Sequence, residues 1–269
     1  MTSFRVDTPR GPVAGIETGQ GPALVLVAGL GSSHRIWGDL PGVLARRFTV
    51  IAIDNRGIGG SRPGQPFSLG DAALDVIAAA DARGHHRFAL VGASMGGAIA
   101  LAAALQAPRR VSSLVLASCA ASLTGHGRRS LELLRDLLRF LPPERVGRAL
   151  MALAFAPPFS QRFPGFVDEA ARLYGLDPDD HPGAVDQVER LLVGWDLRPQ
   201  LRELEVPALV LCGDRDPIVA PEDTAELART MPGAELVTVA GAAHSVLAEG
   251  GGEILQKVVD FLAAHAPPS

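Results

Sequence analysis

Lysine is almost absent from these 269 residues: of 25 basic side chains only Lys257 is a lysine. Against 29 acidic side chains they leave a net charge of −4, and no basic stripe points to nucleic acid as a partner. The bias toward arginine and alanine reads as codon usage in a GC-rich genome rather than as a functional signal. Cysteine is scarce as well. Cys119 and Cys212 each close an apolar run, far from one another and from any other clustered ligand, which excludes a disulfide framework or a zinc site and makes them small buried residues near strand ends. No run of about 18 apolar residues occurs, and the opening Met1–Asp7 carries no apolar leader. The expectation is a cytoplasmic protein with no membrane partner. No exposed apolar helix marks an oligomer interface, so the pattern leaves the oligomeric state open.

What is present is material for a core: 47% of residues are hydrophobic and 20% charged. From residue 23 onward, short apolar runs alternate with helical stretches. Residues 23–28, 49–53, 88–91, 113–117, 208–211 and 235–239 read as strands, the fully apolar ones as buried parallel strands. Between them, helices are expected at about 36–45, 69–83, 95–106, 221–230 and 253–264. Residues 3–7 and 12–17 flank Pro9-Arg10-Gly11-Pro12 and suit an antiparallel hairpin at a sheet edge. This alternation predicts an α/β fold: an eight-stranded, mostly parallel sheet with helices on both faces.

One interval breaks the alternation. Between about Ser122 and Arg198 no strand is apparent. Leu131, Leu134, Leu137, Leu138 and Leu141 recur at helical spacing, and prolines from Pro142 to Pro178 divide the region into short helices. The expected organisation is therefore a core made of residues 1–121 and 199–269, with 122–198 inserted as a helical cap.

The densest chemical signal is Val91-Gly92-Ala93-Ser94-Met95-Gly96-Gly97, a Gly-x-Ser-x-Gly string directly after an apolar strand and directly before an alanine-rich helix. A serine on so sharp a turn takes an unfavourable backbone conformation, and glycine on either side lets the chain pass closely. The helix that follows points free N–H groups at the serine. A serine hydroxyl is a weak nucleophile at neutral pH and needs a base held by a third group. His244 lies just past the last strand, and Asp216 just past the strand before it. Strand ends of a parallel sheet share one edge, so loops bearing Ser94, Asp216 and His244 can converge there. Singly, each has a plain structural reading: a glycine-rich turn, a turn cap before Pro217, a surface histidine.

These segments resemble the α/β-hydrolase superfamily over nearly the whole chain. The matching motifs are Ala28-Gly29-Leu30-Gly31-Ser32-Ser33, Asp54-Asn55-Arg56-Gly57-Ile58-Gly59-Gly60-Ser61, the serine turn, and Gly213-Asp214-Arg215-Asp216 with His244. The resemblance implies a nucleophile Ser94, a base His244 and an acid at the last residue of the Gly-x-x-Asp string, Asp216, with Asp214 as the runner-up. It implies an oxyanion hole built from the backbone N–H groups of Leu30 and Met95, and no cofactor or metal. Many relatives carry His-Gly where this chain has Ala28-Gly29, so a side chain that would brace the loop is missing. The segment from Asp54 to Ser61 is expected to be structural, with Arg56 tying loops together.

The implied substrate is a small molecule. Ester or lactone hydrolysis leads, with C–C cleavage of a vinylogous diketone, cofactor-free haloperoxidase chemistry, and ligand binding without turnover as alternatives. Serine at the turn speaks against the dehalogenase and epoxide hydrolase branches, which use aspartate there. Trp195 is a candidate substrate contact, with packing at the end of the insertion as an equal reading. His34 is another, against a loop-capping role. An inward-facing arginine of the insertion would serve a substrate carboxylate.

Overall fold

A computed structural model describes residues 1–62, 66–174 and 177–266. Strands β1 (Thr2–Thr8) and β2 (Gly11–Thr18) form the antiparallel hairpin, with Thr8 opposite Gly11. β3 (Ala23–Val27), β4 (Thr49–Ile53), β5 (Phe88–Ala93), β6 (Val111–Ala117), β7 (Ala208–Gly213) and β8 (Glu235–Val239) follow. The sheet order is β1-β2-β4-β3-β5-β6-β7-β8, antiparallel at β1/β2 and β2/β4 and parallel at every other pairing. The eight-stranded, mostly parallel sheet is thus the one the alternation predicts.

Strands β3 to β7 carry no charged side chain, and their only hydroxyls are Thr49, Ser112 and Ser113, because both faces are covered, whereas β8 at the sheet edge alternates and is partly exposed. Along β3, Val25 and Val27 enter one apolar cluster while Leu24 and Leu26 enter the other. The first cluster is closed by α2 (Leu69–Ala82) and α3 (Met95–Gln106), and the second by α1 (Leu40–Leu44) and α12 (Gly251–Ala264). The helix expected over 36–45 is instead a 3-10 turn, His34–Trp37, followed by the five-residue α1. Gly38 takes φ 51° between them, which ends the first turn, and Pro at 41 fits the first turn of the second. Arg56 is buried and makes paired bonds to Asp75 at 3.0 and 2.8 Å and a third to the Arg10 carbonyl at 2.8 Å. It ties the hairpin turn to α2, as expected of a structural loop residue.

Between β6 and β7 lie α4 (Gly125–Phe140), α5 (Pro143–Ala154), α6 (Pro157–Arg162), α7 (Pro164–Tyr174) and α8 (His181–Val193), then the short α9 (Arg198–Leu201). Prolines at 143, 157, 164 and 182 sit in the first turns of four of these, where their missing N–H costs nothing. The inserted segment enters and leaves the core side by side: Ser122 bridges Asp196, the Leu123 N–H donates to the Trp195 carbonyl (3.0 Å), and the Leu197 N–H to the Ala121 carbonyl (2.9 Å). After β7 come α10 (Pro221–Thr230) and, after β8, α11 (Val246–Glu249) ahead of α12. No helix among the described residues is long and apolar enough to cross a membrane.

Candidate active site

β5 ends at Ala93 and α3 starts at Met95, so one residue makes the whole turn. That residue, Ser94, has φ 55° and ψ −124°, one of two non-glycine residues with positive φ among those described. Such a backbone is strained and persists only where its surroundings enforce it. The enforcement is visible: the Ser94 N–H donates to the Ala117 carbonyl of β6 at 2.8 Å. A β-carbon on Gly92 would stand 2.4 Å from the Gly96 carbonyl oxygen, and one on Gly96 would stand 2.0 Å from that of Val27. Only glycine fits where β3, β5 and α3 meet.

Beyond β7, Asp216 is buried with its side chain 0% exposed. Its Oδ1 accepts the Ile218 and Val219 amides at 2.9 and 3.0 Å, and its Oδ2 pairs with His244 Nδ1 at 2.8 Å. Burial alone would raise the Asp216 carboxyl. The charge and hydrogen bond of His244, with the two amides, outweigh it and hold the group below the usual carboxylate range. Asp214 is exposed and, among the described residues, takes only the Gly241 amide, at 2.7 Å, so the pairing with His244 falls to Asp216.

Ser94 Oγ makes no hydrogen bond to His244 among the described residues. What joins them is position. β5, β7 and β8 run parallel and end at one edge, and Ser94 lines the same small cavity as Ile218 and Val219, the residues whose amides hold Asp216. That cavity, about 70 Å³, is also lined by Leu30, Met95, Cys119 and Trp195, and by α4 residues such as Leu131 and Leu134. Neither the Leu30 nor the Met95 N–H donates to a protein group among the described residues. Both residues are largely buried and line the cavity with Ser94. Two such donors beside Ser94 are available to an oxygen atom of a bound molecule.

The remaining sequence candidates separate. Trp195 lines the cavity and also pairs through its carbonyl with Leu123 at the stem of the insertion, so it has both positions considered for it. His34 does not line the cavity. Its Nδ1 pairs with Asp54 Oδ1 at 2.6 Å and its N–H donates to the same oxygen at 2.8 Å, the loop-capping position. No arginine lines the cavity among the described residues. Arg139 pairs with Glu189 and Arg190 with Asp186 on the outer faces of the insertion, and Arg128 donates to the Leu192 carbonyl. No group of three or more His, Cys, Asp or Glu is arranged to hold a metal among the described residues.

Three residues around the site carry no motif. Glu249 accepts the Ala243 amide, next to His244, through one oxygen and the Ala156 amide, between α5 and α6, through the other, both at 2.9 Å. Burial pushes its carboxyl up, against the lowering by those two amides. Gln187 and Tyr174 reach the loop after β3 from α8 and α7. Gln187 does leave a trace in the sequence: with Ala184, Val188 and Leu191 it occupies one apolar stripe of a helix, where a glutamine needs buried partners. Tyr174 and Glu249 leave none.

A model of the alpha/beta hydrolase fold matches residues 22–251. The chain belongs to the α/β-hydrolase family. This α/β hydrolase is 33% identical to the polyketide synthase ThaQ of Burkholderia thailandensis over 97% of its own length, but spans 13% of that protein. It is 30% identical to the pyrrolizixenacetamide deacetylase of Xenorhabdus hominickii, covering 93% of this chain and 94% of that one. Among solved structures, the enol-lactonase from Burkholderia xenovorans LB400 superposes with a TM-score of 0.87 at 24% identity, over 97% of this chain and 100% of the other, a likeness of fold.

Proposed function

We propose that this α/β hydrolase cleaves a carboxylic ester or lactone through an acyl-enzyme on Ser94, with residues 122–198 serving as a cap over the acyl pocket. The observation that carries the reading is the strained Ser94 beside two partnerless amides, at the sheet edge where Asp216 holds His244. Ser94 Oγ attacks the carbonyl carbon and gives its proton to His244 Nε2. Asp216 keeps the other ring proton on Nδ1 and stabilises the imidazolium. The Leu30 and Met95 N–H groups receive the oxyanion. Collapse expels the alcohol, which takes the proton from His244. Water, deprotonated by His244, then attacks the acyl carbon; the second collapse breaks the Oγ–acyl bond, His244 returns the proton to Ser94 Oγ, and the acid departs. The cavity is small and mostly apolar, which suits short acyl groups without a carboxylate.

A second reading is amide deacylation by the same steps, favoured by the relative named a deacetylase. A fluorophosphonate probe, followed by p-nitrophenyl acetate, butyrate and the matching anilides, separates these readings. Labelling and ester turnover that vanish in Ser94→Ala and His244→Ala support the proposal. Wild type that neither labels nor turns over an ester or anilide overturns it.

A further inference from the structure

Leu30 lies between two glycines, and Gly31 takes φ 68°. Glycine on both sides leaves the peptides around Leu30 free to rotate unless something holds them, and Ala28 brings no polar side chain to the task. The loop's own bonds are long, the Ser32 N–H donating to the Gly29 carbonyl at 3.3 Å and the Ser32 hydroxyl to the Leu30 carbonyl at 3.4 Å, and the shorter ones come from elsewhere. On the core side, Asn55 Nδ2 donates to the Ala28 carbonyl at 2.7 Å and to that of Gly29 at 3.3 Å. The next peptide is gripped at both ends by the inserted helices. Tyr174 Oη, at the end of α7, donates to the Leu30 carbonyl at 2.9 Å, and Gln187 Oε1, on α8, accepts the Gly31 N–H at 2.8 Å. Gln187 is itself fixed, being fully buried with its Nε2 donating to the Arg56 carbonyl at 2.9 Å. Desolvation pushes the Tyr174 phenol above the usual tyrosine range, with Ser32 opposing, so Oη stays a donor.

The Leu30 N–H belongs to the peptide just before this gripped one, whose Gly29 carbonyl takes only long bonds, from Asn55 Nδ2 and the Ser32 N–H at 3.3 Å each. Its direction depends on the rotation about Leu30 that joins the two planes. We propose that Tyr174 and Gln187 are positioning residues for the Leu30 N–H, so that the oxyanion hole is complete only while α7 and α8 are seated on the core. The inference rests on the hydrolase reading above and deepens it. A donor turned away from the oxyanion costs rate in the chemical step and leaves ground-state binding alone.

The test uses the full chain with Tyr174→Phe, which removes one oxygen and keeps the ring, and Gln187→Met, near-isosteric and apolar. Steady-state rates on p-nitrophenyl butyrate are read beside inhibition by butylboronic acid, whose adduct on Ser94 places an oxygen where the oxyanion forms. Each variant is expected to lose about 10-fold in kcat, with KM within about two-fold and boronate affinity weakened by the factor lost in kcat. A merely structural role would lower the melting temperature and move neither ratio. Variants with wild-type kcat and wild-type boronate affinity overturn the inference alone. Wild type inert to esters, anilides and the fluorophosphonate probe overturns the hydrolase reading, and the inference with it.

Discussion

Asp216→Asn isolates what the Asp216–His244 pair does. In the wild type Oδ1 accepts two amides and Oδ2 faces His244 Nδ1. The asparagine carbonyl oxygen must stay toward Ile218 and Val219, because an NH2 there would confront two donors. The NH2 then faces His244 Nδ1, which has to accept, and the ring proton moves to Nε2. His244 now presents a donor where a base is required. The loss expected is roughly 10⁴-fold in kcat, about 5 kcal/mol of barrier. The fold changes little, since both amide bonds to the side chain survive.

Stability follows the sign of the Asp216 shift. A group whose folded-state value is lowered stabilises above its unfolded range, and that contribution is lost as pH falls through the folded value. The gap in melting temperature between wild type and Asp216→Asn should therefore be full at neutral pH and close in acid. The assays are kcat on p-nitrophenyl butyrate at neutral pH and thermal melts from neutral pH into acid. Asp214→Asn, at an exposed carboxylate, should keep kcat within about two-fold. Asp216→Asn within about 10-fold of wild type, or Asp214→Asn as damaged as Asp216→Asn, would refute the assignment.

Gly96→Ala would place a β-carbon 2.0 Å from the Val27 carbonyl oxygen and 2.6 Å from that of Ala28, backbone atoms that cannot yield as a side chain would, and should cost about 3 kcal/mol or more, whereas Gly252→Ala meets open space in α12 and should gain about 0.5–1 kcal/mol; circular dichroism melts read both. Glu249→Gln can accept from only one of the two amides its carboxylate serves and turns a donor toward the other. About 2 kcal/mol is lost, read as a fall of about 4 °C in the melting temperature. Burial pushes the Cys119 thiol up to about 12, so a maleimide at pH 8 should leave Cys119 unmodified in the folded chain and label it in denaturant, as counted by intact mass.

The parts legible in sequence are those where local chemistry fixes local geometry. The apolar runs name β3 to β7 because a doubly covered parallel strand leaves no room for polar alternation, and Gly92-x-Ser94-x-Gly96 names the turn because only glycine survives those contacts. Asp216 followed from its place past β7. Over 36–45 the apolar spacing is that of one helix and hides the break at Gly38. His34 offered a ring near the site by numbering alone, while its partner Asp54 comes from another loop. Tyr174 bonds a backbone atom 144 residues away and Glu249 joins one 6 residues away to one 93 residues away, and a side chain that binds a distant backbone group leaves no mark on either segment's pattern.

The stem of the insertion bears on how such a chain diversifies. Residues 121–123 and 195–197 lie side by side, so any segment whose ends meet closes onto β6 and β7 without disturbing the sheet. Lengthening a closed loop costs only about 0.6 kcal/mol for each doubling. Chain closure therefore sets little limit on the segment's length; what ties it to the core is packing, since Leu138, Val146, Leu150, Val188 and Leu191 belong to the same apolar cluster as Val25 and Val27. A foreign segment grafted there would keep the sheet but arrive without partners for the Leu30–Gly31 peptide and without the Ala154 carbonyl and Ala156 N–H that meet Ser245 and Glu249 beside His244, and new selectivity would have to be selected together with a new grip on both loops.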